Sequence, residues 1–581
     1  MAGNQLDVEH LLHPDQLACQ ISQQWVEWNT ARNSKIEEWK ELRNYLYATS
    51  TSTTSNALLP WSNTTTIPKL TQIADNLHAN YMAALFPRRE WFRWVVEGRT
   101  EDKEQKRKAI ESYMRAKLRG SKFKDTTSLL ILDYILYGNC FATVDWVSKY
   151  TMKTTGVTKN YTGPRLVRVS PFDIVFNPIA DSFENSPKII RSIKTIGELK
   201  KMTQDDPTLD VEGVFDQIIQ NRHAIGAEGE RTNLAKSEGF VADGFSDIRK
   251  YYGSGYVEIL TFYGDFYDME ANEYHTDRVV TVVDRAYVVQ NIESPSWLGS
   301  APIFHAGWRQ RPDNLWAMGP LDNLVGMQYR LDHLENLKAD VFDQIAVPMI
   351  KIKGTVEDFD FAPGERVYLG EEGDIQAFVP DATALNADFQ IEAIERRMEE
   401  MAGAPRSAMG IRTPGEKTAF EVSSLQTSAN RIFEHKTAHF ESVFEEPALN
   451  AMLEAGRRNM STVETVAIFD ETAGQEFFEE VTKADLNAEG SLYPLGARHF
   501  AERARRVQNF NQLFQIKSSD PSVSVHMSGK EMARLITEEL GEETLFGENI
   551  GLTEQMETME AQQELEVSNQ ESLAIKEENG V

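Results

Sequence analysis

Along residues 318–346 the apolar positions fall three and four apart: Leu321, Leu324, Val325, Leu331, Leu334, Val341, Phe342 and Ile345, with Gln328 and Lys338 in the same stripe. That spacing predicts one helix with a narrow buried face. Asp322, Arg330, Asp332, Glu335, Asp340 and Asp343 occupy the remaining faces, where water or polar neighbours are expected. At 1.5 Å per residue, Leu321 to Ala346 would span roughly 39 Å. Pro348 ends the helix, since its ring removes an amide donor and biases the preceding residue towards extended backbone. Beyond it Met349–Lys353 alternates as a strand, and two short strand candidates, 365–369 and 375–379, flank Gly370 and Gly373. Phe389, Ile391, Ile394, Met398 and Met401 then resume helical spacing, ahead of a Gly/Pro loop and a third helix. A helix pair closed by a β insert spans a distance and presents something at each end.

Elsewhere the pattern alternates between the two periods. Helices are expected over Gln23–Tyr47, Ile67–Phe86, Asp102–Arg119 with Ile110, Met114 and Leu118 inward, Thr126–Tyr137, Ile196–Met202 and Val211–Gln220. Strands are expected at 91–96, through Cys140–Phe176, at Tyr256–Tyr267 and at Val279–Asn291. A Ser/Thr-rich break covers 49–66. Late in the chain, Val463–Phe469 reads as a lone strand, and Ala497–Phe514 and Ser528–Glu539 as helices. The class is α+β, mainly helical.

With 581 residues the chain exceeds a single core. Its 41% hydrophobic and 26% charged residues are ordinary for a globular protein and exclude wholesale disorder. Cys19 and Cys140 form neither a disulfide framework nor a zinc set, which suits a reducing, cytosolic origin. The longest apolar stretch, Leu129–Trp146, is interrupted by Asp133, Gly138, Asn139 and Asp145, so a buried helix is expected there and not a membrane span. A net charge of −29 opposes extensive gripping of DNA, because phosphates are neutralised by Lys and Arg. Contact with DNA should be local or loose. Residues 541–581 carry many Glu and one basic residue, Lys576, and are expected to form a mobile acidic tail.

The loop Gly410–Thr418 nearly spells a phosphate-binding P-loop but carries Glu416 between Gly415 and Lys417, and a helical pattern precedes it where the motif needs a strand. His435 and His439 share a helix face, yet Lys436 stands where a catalytic metal helix has Glu, and no third ligand is evident. No nucleophile elbow, Cys-x-x-Cys pair or dinucleotide fingerprint appears. Neither an enzyme nor a cofactor or metal is expected. Two basic groups stand out. One runs from Lys103 to Lys124, where a solvated face competes with contact to an acidic neighbour, and a smaller one covers Arg498, Arg503, Arg505 and Arg506. Arg406, Arg412 and Lys417 differ, because they lie in or beside a loop between helices that can display charge to a polyanion.

Four stretches, taken in order, resemble the portal (head-to-tail connector) proteins of tailed bacteriophages, most closely the short-tailed type. They are Trp61–Asn63 with Ile67–Lys69, Asn76–Pro87 and Trp91–Phe92; Val169–Pro178 with Lys194, Thr195, Glu198 and Leu199; Met318–Leu324 with Gln328 and Leu331; and Thr418–Val422 with Ala429, Arg431, Phe433, Phe440 and Gly496–Phe500. No single motif is diagnostic; the order is the signal.

The resemblance implies a subunit with wing, stem, clip and crown that assembles into a ring. Residues 1–317 would be the wing, 318–346 the first stem helix, 347–385 the clip and 386–402 the second stem helix. The tunnel loop would be 403–416, a channel-lining helix kinked at Pro447 and a return to the wing 417–490, the crown 491–540 and the tail 541–581. Stem packing would use Leu321, Leu324, Leu331, Leu334, Val341 and Ile345, with acidic residues facing the bore. The clip would use Ile350, Ile352, Val367 and Phe378, and Arg406, Arg412 and Lys417 would face DNA. The implied function is a dodecameric channel at one capsid vertex, in the virion and during assembly in the host cytoplasm, that conducts double-stranded DNA in packaging and ejection. Implied partners are the terminase large subunit, a tail adaptor, and the major capsid and scaffold proteins. The rivals are another phage head structural or scaffold protein, which would lack the helix, insert, helix, loop, helix order, and a packaging ATPase, which would need an intact P-loop.

Overall fold

The computed structural model describes residues 16–47, 63, 65–87, 91–96, 103–153, 156–206, 208–209, 215–220, 255–268, 272–354, 368, 370, 373–378, 387–402, 432–460, 463–470 and 475–496. The chain divides into two compact units, 1–496 and 497–581, and every described residue belongs to the first. The expected helices Ala497–Phe514 and Ser528–Glu539 and the acidic tail lie outside the described residues.

The fold is α+β, as the alternation of periods predicts. The first difference lies near the N-terminus, where the pattern over Gln23–Tyr47 predicts one helix and there are two, α1 (Gln16–Ala31) and α2 (Asn33–Tyr47). Arg32 lies between them, buried. Its guanidinium donates to the carbonyls of Pro171, Phe172 and Ile174 at 2.5–2.6 Å and to Asn29 Oδ1 at 3.0 Å. A buried guanidinium must find acceptors for its donors, and the break points it at a turn some 139–142 residues further along.

The main core gathers around α3 (Lys69–Leu85), β1 (Phe92–Val96), α4 (Lys103–Gly120) and α5 (Phe123–Leu136). Ile110, Met114 and Leu118 of α4 are buried as their spacing requires. Helix α5 exposes Lys124, Asp125 and Leu129 in its first half, then buries Leu130, Ile131 and every residue from Asp133 to Leu136, so its second half sits inside the domain. Its buried acid, Asp133, receives Arg168 Nε and Nη2 at 2.5 and 2.7 Å. None of the described helices is long and apolar enough to cross a membrane. Strands are present after Cys140 as expected, and the structure pairs β2 (Asn139–Lys153) with β3 (Gly156–Val169) as a long hairpin. At the α5–β2 corner Gly138 has φ +69°, and a Cβ there would lie 2.3 Å from the Gly319 amide nitrogen. The backbone entering the 318–346 segment thus passes directly over this corner.

A second, five-stranded antiparallel sheet has the order β4 (Ile174–Phe176), β5 (Lys188–Thr195), β6 (Tyr256–Asp268), β7 (Glu273–Val283), β8 (Tyr287–Glu293). Its two faces show the period of two in a strand. Leu260, Phe262, Val280 and Val282 pack against Ala18, Ile21 and Trp25 of α1, whereas Val257, Ile259 and Val283 pack on Leu199 of α6 (Ile196–Asp205) and on Ile218. The expected single strand Val279–Asn291 is in fact the β7–β8 hairpin. Residues 284–286 join the two strands, with the Ala286 N–H donating to Val283 O at 3.1 Å, and Asp284 and Arg285 hold φ of 50° and 59° there, a left-handed conformation that costs residues with a Cβ. Arg285 offsets that backbone cost through a buried bidentate pair with Glu258 at 2.8 and 2.9 Å. The strand β9 (Ile303–Gly307), which the pattern does not predict, adds to β2 and completes a three-stranded sheet.

In the last part of the unit, after α7 (Val325–Ala346) and α8 (Asp388–Ala402), residues 432–440 are helical, a π turn covers Glu441–Glu445, and α9 follows at Glu446–Asn459. Pro447 explains the π turn. Its missing N–H and its ring oppose regular bonding to the carbonyl one turn back, and the preceding turn widens so that the Glu446 N–H reaches Glu441 O. Val463–Phe469 is not a lone strand. It lies in a strand, Val463–Asp470, that pairs antiparallel with Gln475–Thr482, and the hairpin packs against α4. Gly490–Pro494 pairs with β1, tying the residues expected to open the crown to the N-terminal part of the chain.

Candidate functional site

A short 3-10 turn, Asp322–Leu324, leads into α7 (Val325–Ala346), whose 22 residues correspond to roughly 33 Å. Strands Met349–Lys353 and Asp374–Phe378 pair antiparallel, and α8 (Asp388–Ala402) returns. The two helices are antiparallel: Lys338 pairs with Asp388, while Leu331 and Leu334 meet Ile391 and Ile394. The unit is an arm with its root in the domain. At the root Leu321, Leu324, Met398 and Ala402 join the main core, Lys35 binds Asp322 at 2.7 Å, and buried Lys69 binds buried Glu399 at 2.7 Å. Further out, the buried apolar side chains between the helices among the described residues are Leu331, Leu334 and Ile391.

A polar ladder supplies what the thin apolar seam lacks. The described residues of the Ser/Thr-rich break, 63, 65 and 66, together with Ile67, run as a strap alongside α7. Gln328 Nε2 donates to the Ile67 carbonyl at 2.6 Å, and Asp332 Oδ1 accepts from the Ile67 amide at 3.0 Å. Asn336 accepts from the Thr65 amide at 2.8 Å and donates to its carbonyl at 3.0 Å. Asp340 accepts from the Asn63 amide at 2.6 Å, and Asp343 from Asn63 Nδ2 at 2.9 Å. The rungs match because four helical residues rise about 6.0 Å and two extended residues about 6.6 Å. Side chains at 328, 332, 336 and 340 therefore meet residues 67, 67, 65 and 63 in turn.

Of the water or polar neighbours expected on these faces of the helix, the structure places polar neighbours along the 328–343 series. Gln328, Asp332 and Asn336 are buried, and Asp340 and Asp343 are engaged by the strap. Burial holds the Asp332 carboxyl up at about 6, against the lowering pull of the Ile67 amide and Gln328. The signal was present as a polar series at intervals of four. Local spacing does not say which neighbours these are, because they are backbone groups some 260–280 residues away.

The residues assigned to stem packing divide by position. Leu321, Leu324, Leu331 and Leu334 are buried, whereas Val341 and Ile345, further along the arm, are half-buried. In the insert, Ile350 is half-buried, Ile352 is exposed, and Phe378 pairs in register with Met349. Val367 and the three basic residues Arg406, Arg412 and Lys417 lie outside the described residues. The far part of the arm is notably apolar at its surface: Phe342 is 62%, Val347 71% and Phe389 82% exposed. Three large apolar side chains exposed on one arm are candidates for a contact surface.

The histidines 435 and 439 do not act as a pair. His435 is exposed, and half-buried His439 is hydrogen-bonded to the Gly307 backbone beside His305. His305 is stacked on Phe141 at 4.6 Å and hydrogen-bonded to Asn139, and burial pushes its pKa down to about 3, so it is a neutral member of an aromatic core. In the π turn, Glu445 is buried with both carboxylate oxygens lacking a hydrogen-bond partner among the described residues; burial and nearby Glu441 push it well above the usual carboxylate range. No group of three potential metal-ligating side chains is present among the described residues.

No protein-family model matches the sequence, and no curated protein matches it.

Proposed function

We propose that the chain is a portal subunit of a tailed bacteriophage, of the short-tailed type, which assembles side by side into a ring around a channel for double-stranded DNA. The supporting observation is the arm: two antiparallel helices capped by a β-hairpin, rooted in a large domain, with Phe342, Val347 and Phe389 uncovered. An isolated two-stranded hairpin is marginal in water. A pair of helices with three buried apolar residues between them gains little from its own packing. Both features are accounted for if neighbouring arms cover one another. In this reading the 318–346 and 386–402 helices are stem, 347–385 the clip, and Arg406, Arg412 and Lys417 brake DNA that an acidic chain otherwise lets slide.

A closed ring needs head-to-tail contacts between copies. Dodecameric closure, docking of the terminase large subunit and then of a tail adaptor, and residence at one capsid vertex complete the reading. Native mass spectrometry of the purified protein tests it through the double variant Phe342→Glu, Phe389→Glu. The wild type should form a closed oligomer and the variant a folded monomer. An unchanged oligomer in the variant would show that the arms do not hold the copies together.

A further inference from the structure

Helix α4 and the corner after it carry a basic face that neither the core nor the arm uses. The helix holds seven basic residues against two acidic ones, in a chain whose net charge is −29. Lys103, Lys108, Arg119 and Lys122 are exposed. Lys117 turns inward to Glu464 at 2.5 Å, and Lys124 lies over the Phe86 ring, so these two serve the fold.

Stability does not account for the exposed ones. Lys103, Lys106, Arg107 and Lys108 crowd the first turns of α4, where the positive end of the helix dipole disfavours cations. Lys122 has φ 58° at the corner between α4 and α5, a left-handed conformation that Gly or Asn adopts at less cost. A long cationic side chain is present where the backbone would favour neither its charge nor its Cβ.

The surface chemistry selects the partner. Protein interfaces are anchored by buried aromatic and aliphatic side chains, and no residue from 103 to 124 is among the exposed large hydrophobics. What remains is a row of flexible cations, with Lys108 and Arg119 eleven residues or roughly 16 Å apart along the axis. Duplex DNA offers a matching array, with one charge per ~1.7 Å of axis and no need for apolar contact.

We propose that this face binds the phosphate backbone of duplex DNA without sequence preference. It goes beyond the channel reading, in which DNA slides past a few braking residues, by assigning a separate surface that holds it. Covalently closed circular duplex separates the two, because it has no end to thread through a channel. Filter binding of such DNA to the full-length protein at 25–200 mM salt should show an affinity that falls steeply with salt. The triple variant Lys108→Ala, Arg119→Ala, Lys122→Ala should flatten the slope of log K against log salt by about 2.7, at 0.9 for each phosphate no longer neutralised. The charge-keeping triple Lys108→Arg, Arg119→Lys, Lys122→Arg should bind as wild type, which controls for folding. The triple Arg406→Ala, Arg412→Ala, Lys417→Ala should leave the slope unchanged. Equal slopes for the wild type and the α4 alanine variant, or no binding by the wild type at 25 mM salt, would overturn the proposal and leave the ring reading untouched. Loss of low-salt self-association instead of DNA binding would assign the face to an acidic protein surface and overturn it as well.

Discussion

Replacing Asn336 by Ala removes the middle rung of the ladder that binds residues 63–67 to α7. The side chain is buried and makes both an accepted bond from the Thr65 amide at 2.8 Å and a donated bond to the Thr65 carbonyl at 3.0 Å. Each bond is worth about 1 kcal/mol net, so the pair contributes about 2 kcal/mol. The backbone groups left behind are only part-buried and reach water once the strap lifts. The loss therefore appears as local opening more than as global unfolding. About 2 kcal/mol corresponds to about 30-fold faster amide exchange. Hydrogen-exchange mass spectrometry of peptides covering 63–67 reads this directly, with exposed Arg330→Ala as a control on the same helix. If the rungs act together, the amides of Asn63 and Ile67 accelerate with that of Thr65. Exchange unchanged from wild type at all three would refute the ladder as the element that holds the strap.

Arg168→Ala strands the buried Asp133 carboxylate, whose pKa burial already raises to about 6 against the pull of its partner. Because the Arg168 end of the pair is open to solvent, we expect a loss of about 1–2 kcal/mol in denaturant unfolding at pH 7, reduced at pH 5, where the folded-state carboxyl is protonated. Glu445→Gln should stabilise the protein at pH 7 and leave it nearly unchanged at pH 4. The native Glu445 carboxyl keeps its proton above the ordinary value of 4.5, so the wild type loses stability as pH rises from there through the raised folded value. Thermal unfolding of both proteins across pH 4–8 checks the sign, and a variant less stable at pH 7 would contradict it.

What the sequence discloses follows the range of the forces involved. Strands 92–96 and 256–268 and helices 69–85 and 103–120 depend on local period, and they lie within two residues of the expected bounds. The break at Arg32 depends on carbonyls at 171–174, and the β7–β8 turn on the Arg285–Glu258 pair. Neither dependence leaves a mark on hydrophobic spacing. The arm was legible because Leu331, Leu334 and Ile391 repeat helically and Pro348 stops the run. Its polar ladder was not, since Asp332 and Asn336 spell the same letters whether they face water or a backbone strand. The π turn at 441–445 is foreshadowed only by Pro447, which predicts a distortion but not its form.

The central claim is that copies of this chain close into a ring through their arms. Negative-stain electron microscopy of the purified full-length protein tests it most directly. The account predicts annular particles with a central channel, in end views of a single rotational symmetry. Isolated monomers at every concentration imaged would contradict it.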